Sequence, residues 1–229
     1  MRTDPSGRRE EALQTGLLFV GKKGKDKMEN YQITQWCRRF IREQVSEGDY
    51  CIDATCGNGH DTFLLCELAG RKGMTAGFDI QRQALEKTRE RLKEAGVEER
   101  AELFGCGHEK MKEALAGSER CRGMLEKTED GYGSVSCVVF NFGYLPGGSH
   151  DIATRAETSL EALRQGMDLL KKGGIISLCI YSGKDSGFEE KDAVMEYLKT
   201  LDSKKYLVIM SSYYNRPNHP PVPGLVIRL

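Results

Sequence analysis

Five short apolar runs, each handing over to a segment with helical spacing, constrain this chain more than any other feature. They are YCIDAT (50–55), MTAGFD (74–79), AELFG (101–105), SVSCVVFN (134–141) and GGIISLCIY (173–181). The central runs are apolar almost continuously rather than at alternate positions, which marks strands covered on both faces. Between them lie DTFLLCELA (61–69), the amphipathic QALEKTRERLKEAG (83–96) with Gly96 at its end, and HEKMKEALA (108–116), and further helices are predicted over 154–171 and 188–201. A first helix is predicted over 31–45, where Ile33, Trp36, Cys37, Phe40 and Ile41 recur at helical intervals. KKYLVIMSSYY (204–214) and GLVIRL (224–229) read as two closing strands forming a hairpin. Strand and helix alternate without an internal repeat, so the fold class is α/β, a mostly parallel sheet with helices on both faces. Ligands of such sheets sit at the C-terminal ends of the strands, near the point where the strand order reverses.

The 229 residues suit one α/β domain over 29–229 preceded by an arm. Residues 1–28 hold seven Lys/Arg against four Asp/Glu in a polar, Gly-punctuated stretch and read as a flexible basic arm. Residues 117–134, rich in Gly and charge, read as an insertion loop. With 34 Lys+Arg against 34 Asp+Glu, the chain is no basic coat protein, although a local basic patch is allowed. No apolar run approaches a membrane span, and Leu17–Val20 is too short for a signal-peptide core, so a cytoplasmic protein without membrane contact is expected. The eight cysteines contain no CxxC pair and the four histidines are scattered, so reduced thiols and no metal are expected.

DATCGNGHDT (53–62) follows the first strand and opens the first helix of the alternating series. Gly57 and Gly59 let a ligand approach backbone closely. A dinucleotide fingerprint would have a third glycine where Thr62 stands, and a carboxylate at Asp53 would repel a pyrophosphate. The same carboxylate suits a sulfonium, which favours S-adenosylmethionine over NAD. Asp79 ends the second strand 20 residues after Gly59, where a nucleoside-binding fold holds the ribose hydroxyls. The expected cofactor residues are Asp53, Thr55, Gly57, Asn58, Gly59, Asp61 and Thr62 in the first loop, Asp79, Ile80 and Gln81 in the second, Gly107 and His108 after the third strand, and Asn141 and Gly143 after the fourth.

NFGYLPGG (141–148) sits where amino-methyltransferases of this fold carry an Asn/Asp-Pro-Pro-aromatic loop, which it resembles. Asn141 supplies an amide that accepts from a substrate amine, and Tyr144 a face on which a base stacks. From Ser203 to Leu229 there is no acid. Lys204, Lys205, Arg216 and Arg228 are interleaved there with Tyr206, Tyr213 and Tyr214, a combination suited to phosphates and splayed bases. NRPNHPP (215–221) is expected on a surface loop touching RNA.

DATCGNGHDT, FDIQ, NFGYLPGG, TRAETSLEAL, GFEEK and NRPNHPP together resemble the bacterial family long labelled putative rRNA methylases, understood as tRNA wobble-uridine methyltransferases. The resemblance spans about residues 31–229. It implies a class I methyltransferase fold with seven strands, the last antiparallel, S-adenosylmethionine as cofactor, and the anticodon stem-loop of tRNA as partner. The implied reaction methylates the amine of 5-aminomethyl-(2-thio)uridine at the wobble position. A homodimer is compatible with it. The implied catalytic residues are Asn141 and Tyr144, with His108 and Asp151 as candidate bases; the substrate residues are Tyr144, Leu145, Pro146, Tyr181, Tyr214, Asn215, Arg216, Asn218 and Pro220. The sequence departs from the family at Cys106, Ser149, Lys184 and Arg216. Competing readings are the same fold acting on rRNA or a small amine, an NAD oxidoreductase, and a non-catalytic RNA-docking module.

Overall fold

Residue parity along the fourth strand explains how this sheet is covered. In the computed structural model, which describes residues 32–143, 153–182, 184–217 and 219–229, that strand is β4 (Val135–Phe142). Its odd residues Cys137 and Val139 pack with Ile41, Leu64 and Leu65 on one face. Its even residues Val138, Phe140 and Phe142 pack with Ala162, Leu163 and Leu178 on the other. Successive strand side chains point to opposite faces, so a continuous apolar run feeds two cores at once.

The strands are β1 (Tyr50–Asp53), β2 (Met74–Phe78), β3 (Ala101–Phe104), β4, β5 (Leu170–Ile180), β6 (Tyr206–Met210) and β7 (Val222–Arg228). They form one seven-stranded sheet in the order β3-β2-β1-β4-β5-β7-β6. β1 to β5 pair in parallel, and β7 runs antiparallel between β5 and β6. This is the class I methyltransferase sheet, with its reversal of strand order between β1 and β4. The helices are α1 (Ile33–Gln44), α2 (His60–Ala69), α3 (Arg82–Glu94), α4 (Met111–Ala116), α5 (Ala156–Leu169) and α6 (Lys184–Lys199). α1 and α2 lie over the odd face of β4, and α4 to α6 over the even face.

Differences from the sequence reading fall at element ends. β7 begins at Val222, two residues before the predicted start, because Pro223 is accommodated near the head of the strand opposite Cys179. β6 stops at Met210 rather than continuing to Tyr214. Within 117–134 a 3-10 turn, Arg122–Leu125, carries Met124 into the core beside Cys121. The basic arm lies outside the described residues.

Candidate active site

The loop after β1 is held from three sides. Asp53, fully buried at the strand end, accepts from Thr62 Oγ1 at 2.6 Å and from the Thr55 N–H at 3.1 Å, so its carboxylate ties the loop to the start of α2. Asp79, at the end of β2, accepts from the Gly57 N–H at 3.0 Å and the Gln81 N–H at 2.8 Å. Arg91 Nε of α3 donates to the Asn58 carbonyl at 2.9 Å.

Gly59 adopts φ +75°, and a Cβ there would lie 2.8 Å from Thr88 Cα. On the side where a Cβ would stand, the backbone of α3 closes on this glycine. Each oxygen of Asp79 has one partner, which leaves lone pairs for ribose hydroxyls. Ile80, beside it, is 62% exposed, a large apolar side chain open to solvent.

Parity places Asn141 on the same face as Cys137 and Val139, toward α1 and α2. Its backbone N–H donates to Thr55 Oγ1 at 2.8 Å, joining the two loops that flank the reversal of strand order. Its side-chain Nδ2 donates to Asp61 Oδ2 at 3.1 Å, and Arg38 Nε of α1 donates to Asp61 Oδ1 at 2.6 Å. An amide with its nitrogen committed presents its oxygen as an acceptor. Sequence reasoning missed Arg38 altogether.

Asp53, Asp61 and Asp79 crowd this end of the sheet. Burial pushes the Asp53 carboxyl up to about 7, and the charges of Asp61 and Asp79 add to the effect, opposed by the bonds from Thr62 and Thr55. A cation at the crevice relieves that repulsion, so these residues fit S-adenosylmethionine, whose sulfonium and amino group are both cationic.

His108, expected both as a cofactor residue and as a candidate base, lies at the edge of the aromatic core. It is buried, with its ring edge-on to Phe140 and Phe142 at 6.1 Å. Burial holds its pKa below the usual imidazole value, against the neighbouring Glu109 and a hydrogen bond to the Ala54 backbone. Gly107 precedes it at the head of a 3-10 turn.

Gly143 adopts φ +153° directly after β4, and a Cβ there would come 3.0 Å from Tyr181 Cβ. Tyr181 is half-buried in a small cluster with Ile33, Cys37, Cys179 and Tyr213. Tyr214, Asn215 and Arg216 are exposed, Tyr214 completely, and Pro220 is half-buried. The backbone of His219 accepts from Ser182 Oγ at 3.1 Å, and its ring meets Phe188 edge-on at 5.3 Å, a contact the sequence reading did not foresee. Tyr144, Leu145, Pro146, Asp151 and Asn218 lie outside the described residues.

The basic and aromatic residues after Ser203 do not form one patch. Tyr206 pairs with Arg228, whereas Val222 pairs with Ile180, so Tyr206 and Arg228 stand at the foot of the sheet and the 213–216 segment at its head. The Arg228 guanidinium lies over the rings of Tyr206 and Tyr132 at 4.6 and 5.2 Å. An antiparallel pair necessarily sends its two ends apart. Among the described residues no cluster of His, Cys, Asp or Glu is placed to hold a metal, and no helix is long and apolar enough to cross a membrane.

The family described as "Putative rRNA methylase" matches residues 75–227, and the ubiE/COQ5 methyltransferase family matches residues 24–117. The "tRNA (mnm(5)s(2)U34)-methyltransferase, chloroplastic" of Arabidopsis thaliana is 35% identical over 218 residues, covering 92% of this chain and 71% of that protein. A structure described as a putative rRNA-methylase from Clostridium thermocellum matches with TM-score 0.78 at 38% identity, over 87% of this chain and 99% of that one. A structure described as a putative methyltransferase from Streptococcus mutans, in complex with SAH, matches with TM-score 0.73 at 28% identity over the same shares.

Proposed function

The chain belongs to the family described as putative rRNA methylases, and from that premise we propose that it methylates the amine of 5-aminomethyl-(2-thio)uridine at the tRNA wobble position, giving 5-methylaminomethyl-(2-thio)uridine. It is a methyltransferase dependent on S-adenosylmethionine, and its substrate is tRNA. When bound, the cofactor supplies an electrophilic methyl group on a sulfonium.

The observation that carries the assignment to an amine is Asn141. Its nitrogen is bonded to Asp61, so its oxygen is the acceptor offered at the crevice between β1 and β4. An amine that donates one N–H to that oxygen has its lone pair directed elsewhere, and aligning this lone pair is most of what an in-line displacement requires. A free alkylamine has a pKa of about 10. It reacts only as the neutral base, which desolvation in the crevice favours. Gly57, Asp79 and the exposed Ile80 hold the nucleoside side of the donor. The exposure of Tyr214, Asn215 and Arg216 at the head of the sheet supports the anticodon stem-loop as the part of tRNA they contact.

The test is mass spectrometry of wobble nucleosides. The protein is incubated with S-adenosylmethionine and tRNA carrying 5-aminomethyl-2-thiouridine, and that nucleoside is expected to gain one methyl group. No gain, with the cofactor shown to bind, overturns the assignment and directs the search to rRNA or small amines.

A further inference from the structure

Two sequence blocks that the reading above leaves without a chemical role, GFEEK and TRAETSLEAL, join the Asn141 loop at one buried carboxylate. Glu190 of α6 is 1% exposed. It accepts from Thr154 Oγ1 at 2.7 Å and from Ser159 Oγ of α5 at 2.6 Å. Thr154 Oγ1 in turn accepts from the Gly143 N–H at 2.8 Å, and the Thr154 N–H donates to the Gly143 carbonyl at 3.0 Å. Gly143 follows Asn141 by two residues, so the relay runs from GFEEK through TRAETSLEAL to NFGYLPGG.

Among the described residues the hydrogen-bond partners of Glu190 are these two hydroxyls, with no cation. Burying a carboxylate so costs stability that an apolar residue would not. What a carboxylate adds is direction. It only accepts, so the Thr154 hydroxyl must donate to it, and the lone pairs of that hydroxyl are left facing the Gly143 N–H. Burial also raises the Glu190 carboxyl above its ordinary range, an effect that the two hydroxyls oppose.

We propose that Glu190 is a positioning residue for methyl transfer, acting through Thr154 to fix the chain at Gly143 and hence the end of β4 that carries Asn141. The proposal rests on the reading of Asn141 given above. Of the expected cofactor residues the relay holds only Gly143, through its backbone, and the loops after β1 and β2 contain none of its members.

The test compares Thr154→Val, which keeps the shape and removes the hydroxyl, with Thr154→Ser, which keeps the hydroxyl, and with Glu190→Gln. Single-turnover methylation is measured at saturating tRNA carrying 5-aminomethyl-2-thiouridine, and S-adenosylmethionine affinity by calorimetry. T154V is expected to lose about 10- to 100-fold in rate with cofactor affinity unchanged, T154S to retain most of the rate, and E190Q to fall between. Exchange of the Gly143 amide is expected to accelerate in T154V and not in T154S. A folded T154V at wild-type rate, a T154S as slow as T154V, or a parallel loss of cofactor affinity overturns the proposal, whether or not E190Q folds. Unaltered Gly143 exchange in T154V overturns the relay itself. A wild-type protein that leaves this tRNA unmethylated overturns instead the functional reading on which the relay's role depends.

Discussion

The side-chain amide of Asn141 donates to Asp61 Oδ2 at 3.1 Å, across the gap between the end of β4 and the first turn of α2. Arg38 holds the other oxygen of the same carboxylate at 2.6 Å, with both side chains largely shielded. The acceptor oxygen of Asn141 is therefore oriented by two residues that need not touch the substrate.

Asp61→Asn is expected to lower the single-turnover rate by about 100-fold, because an amide at that position no longer dictates which way Asn141 turns. Arg38→Ala leaves Asp61 in place but unpaired, and the expected loss is about 10-fold, equivalent to about 1.4 kcal/mol of barrier. Rapid-quench measurement of methyl transfer checks both. Equal rates for wild type and D61N would remove Asp61 from the mechanism.

Cofactor affinity is expected to rise with pH through about 7, the value to which burial and neighbouring acids push Asp53. The sign follows from the charge states. Below that pH the carboxyl is protonated and gives a cation no attraction; above it the carboxylate is an anion beside Asp61 and Asp79. Binding of a cationic ligand then lowers the Asp53 pKa and releases protons near neutrality. Calorimetry in buffers of different ionisation enthalpy reads that release directly, and Asp53→Asn is expected to abolish it. An affinity that is flat from pH 6 to 8 would show that Asp53 does not sense the ligand.

Gly59→Ala is expected to destabilise the protein by about 2–5 kcal/mol, the sum of a left-handed backbone cost and an overpacking cost. The added carbon would meet Thr88 Cα at 2.8 Å, and helix backbone cannot swing aside as a side-chain tip can. A lower urea midpoint at unchanged slope is the expected signature.

The sheet was legible because strands buried on both faces must be apolar without interruption, as Cys137 to Phe140 are. The place of Asp79 at a strand end was legible because its distance from the glycine loop is set by one helix, one turn and one strand. Arg38 was not, since its partner lies 23 residues away on another helix and meets it only when α1 packs beside α2. Glu190 stood in a block recognised by resemblance, yet its two hydroxyl partners come from a different helix and its approach, which no periodicity reveals. The surroundings of His108 were hidden as well: a histidine next to a strand-end loop looks accessible in sequence, but the fold sets its ring edge-on to Phe140 and Phe142.

The division of the C-terminal basic residues makes the last prediction. Tyr214 and Arg216 stand exposed at the head of the sheet, on the side of Asn141, whereas Tyr206 and Arg228 stack on each other at its foot. An anticodon stem-loop that delivers its wobble base to Asn141 meets the first pair and not the second. Tyr214→Ala is expected to weaken binding of the isolated stem-loop by about 1–3 kcal/mol if a base stacks on that ring. Arg216→Ala is expected to weaken it and reduce the slope of log affinity against log salt by about 0.7–0.9, the loss of one phosphate contact. Tyr206→Ala and Arg228→Ala are expected to leave both the affinity and the slope unchanged. Fluorescence anisotropy with a labelled stem-loop at several salt concentrations separates the two ends. A loss on Arg228→Ala equal to that on Arg216→Ala would mean that the RNA reaches the foot of the sheet, and that the basic and aromatic residues interleaved in sequence are brought together by the RNA rather than by the fold.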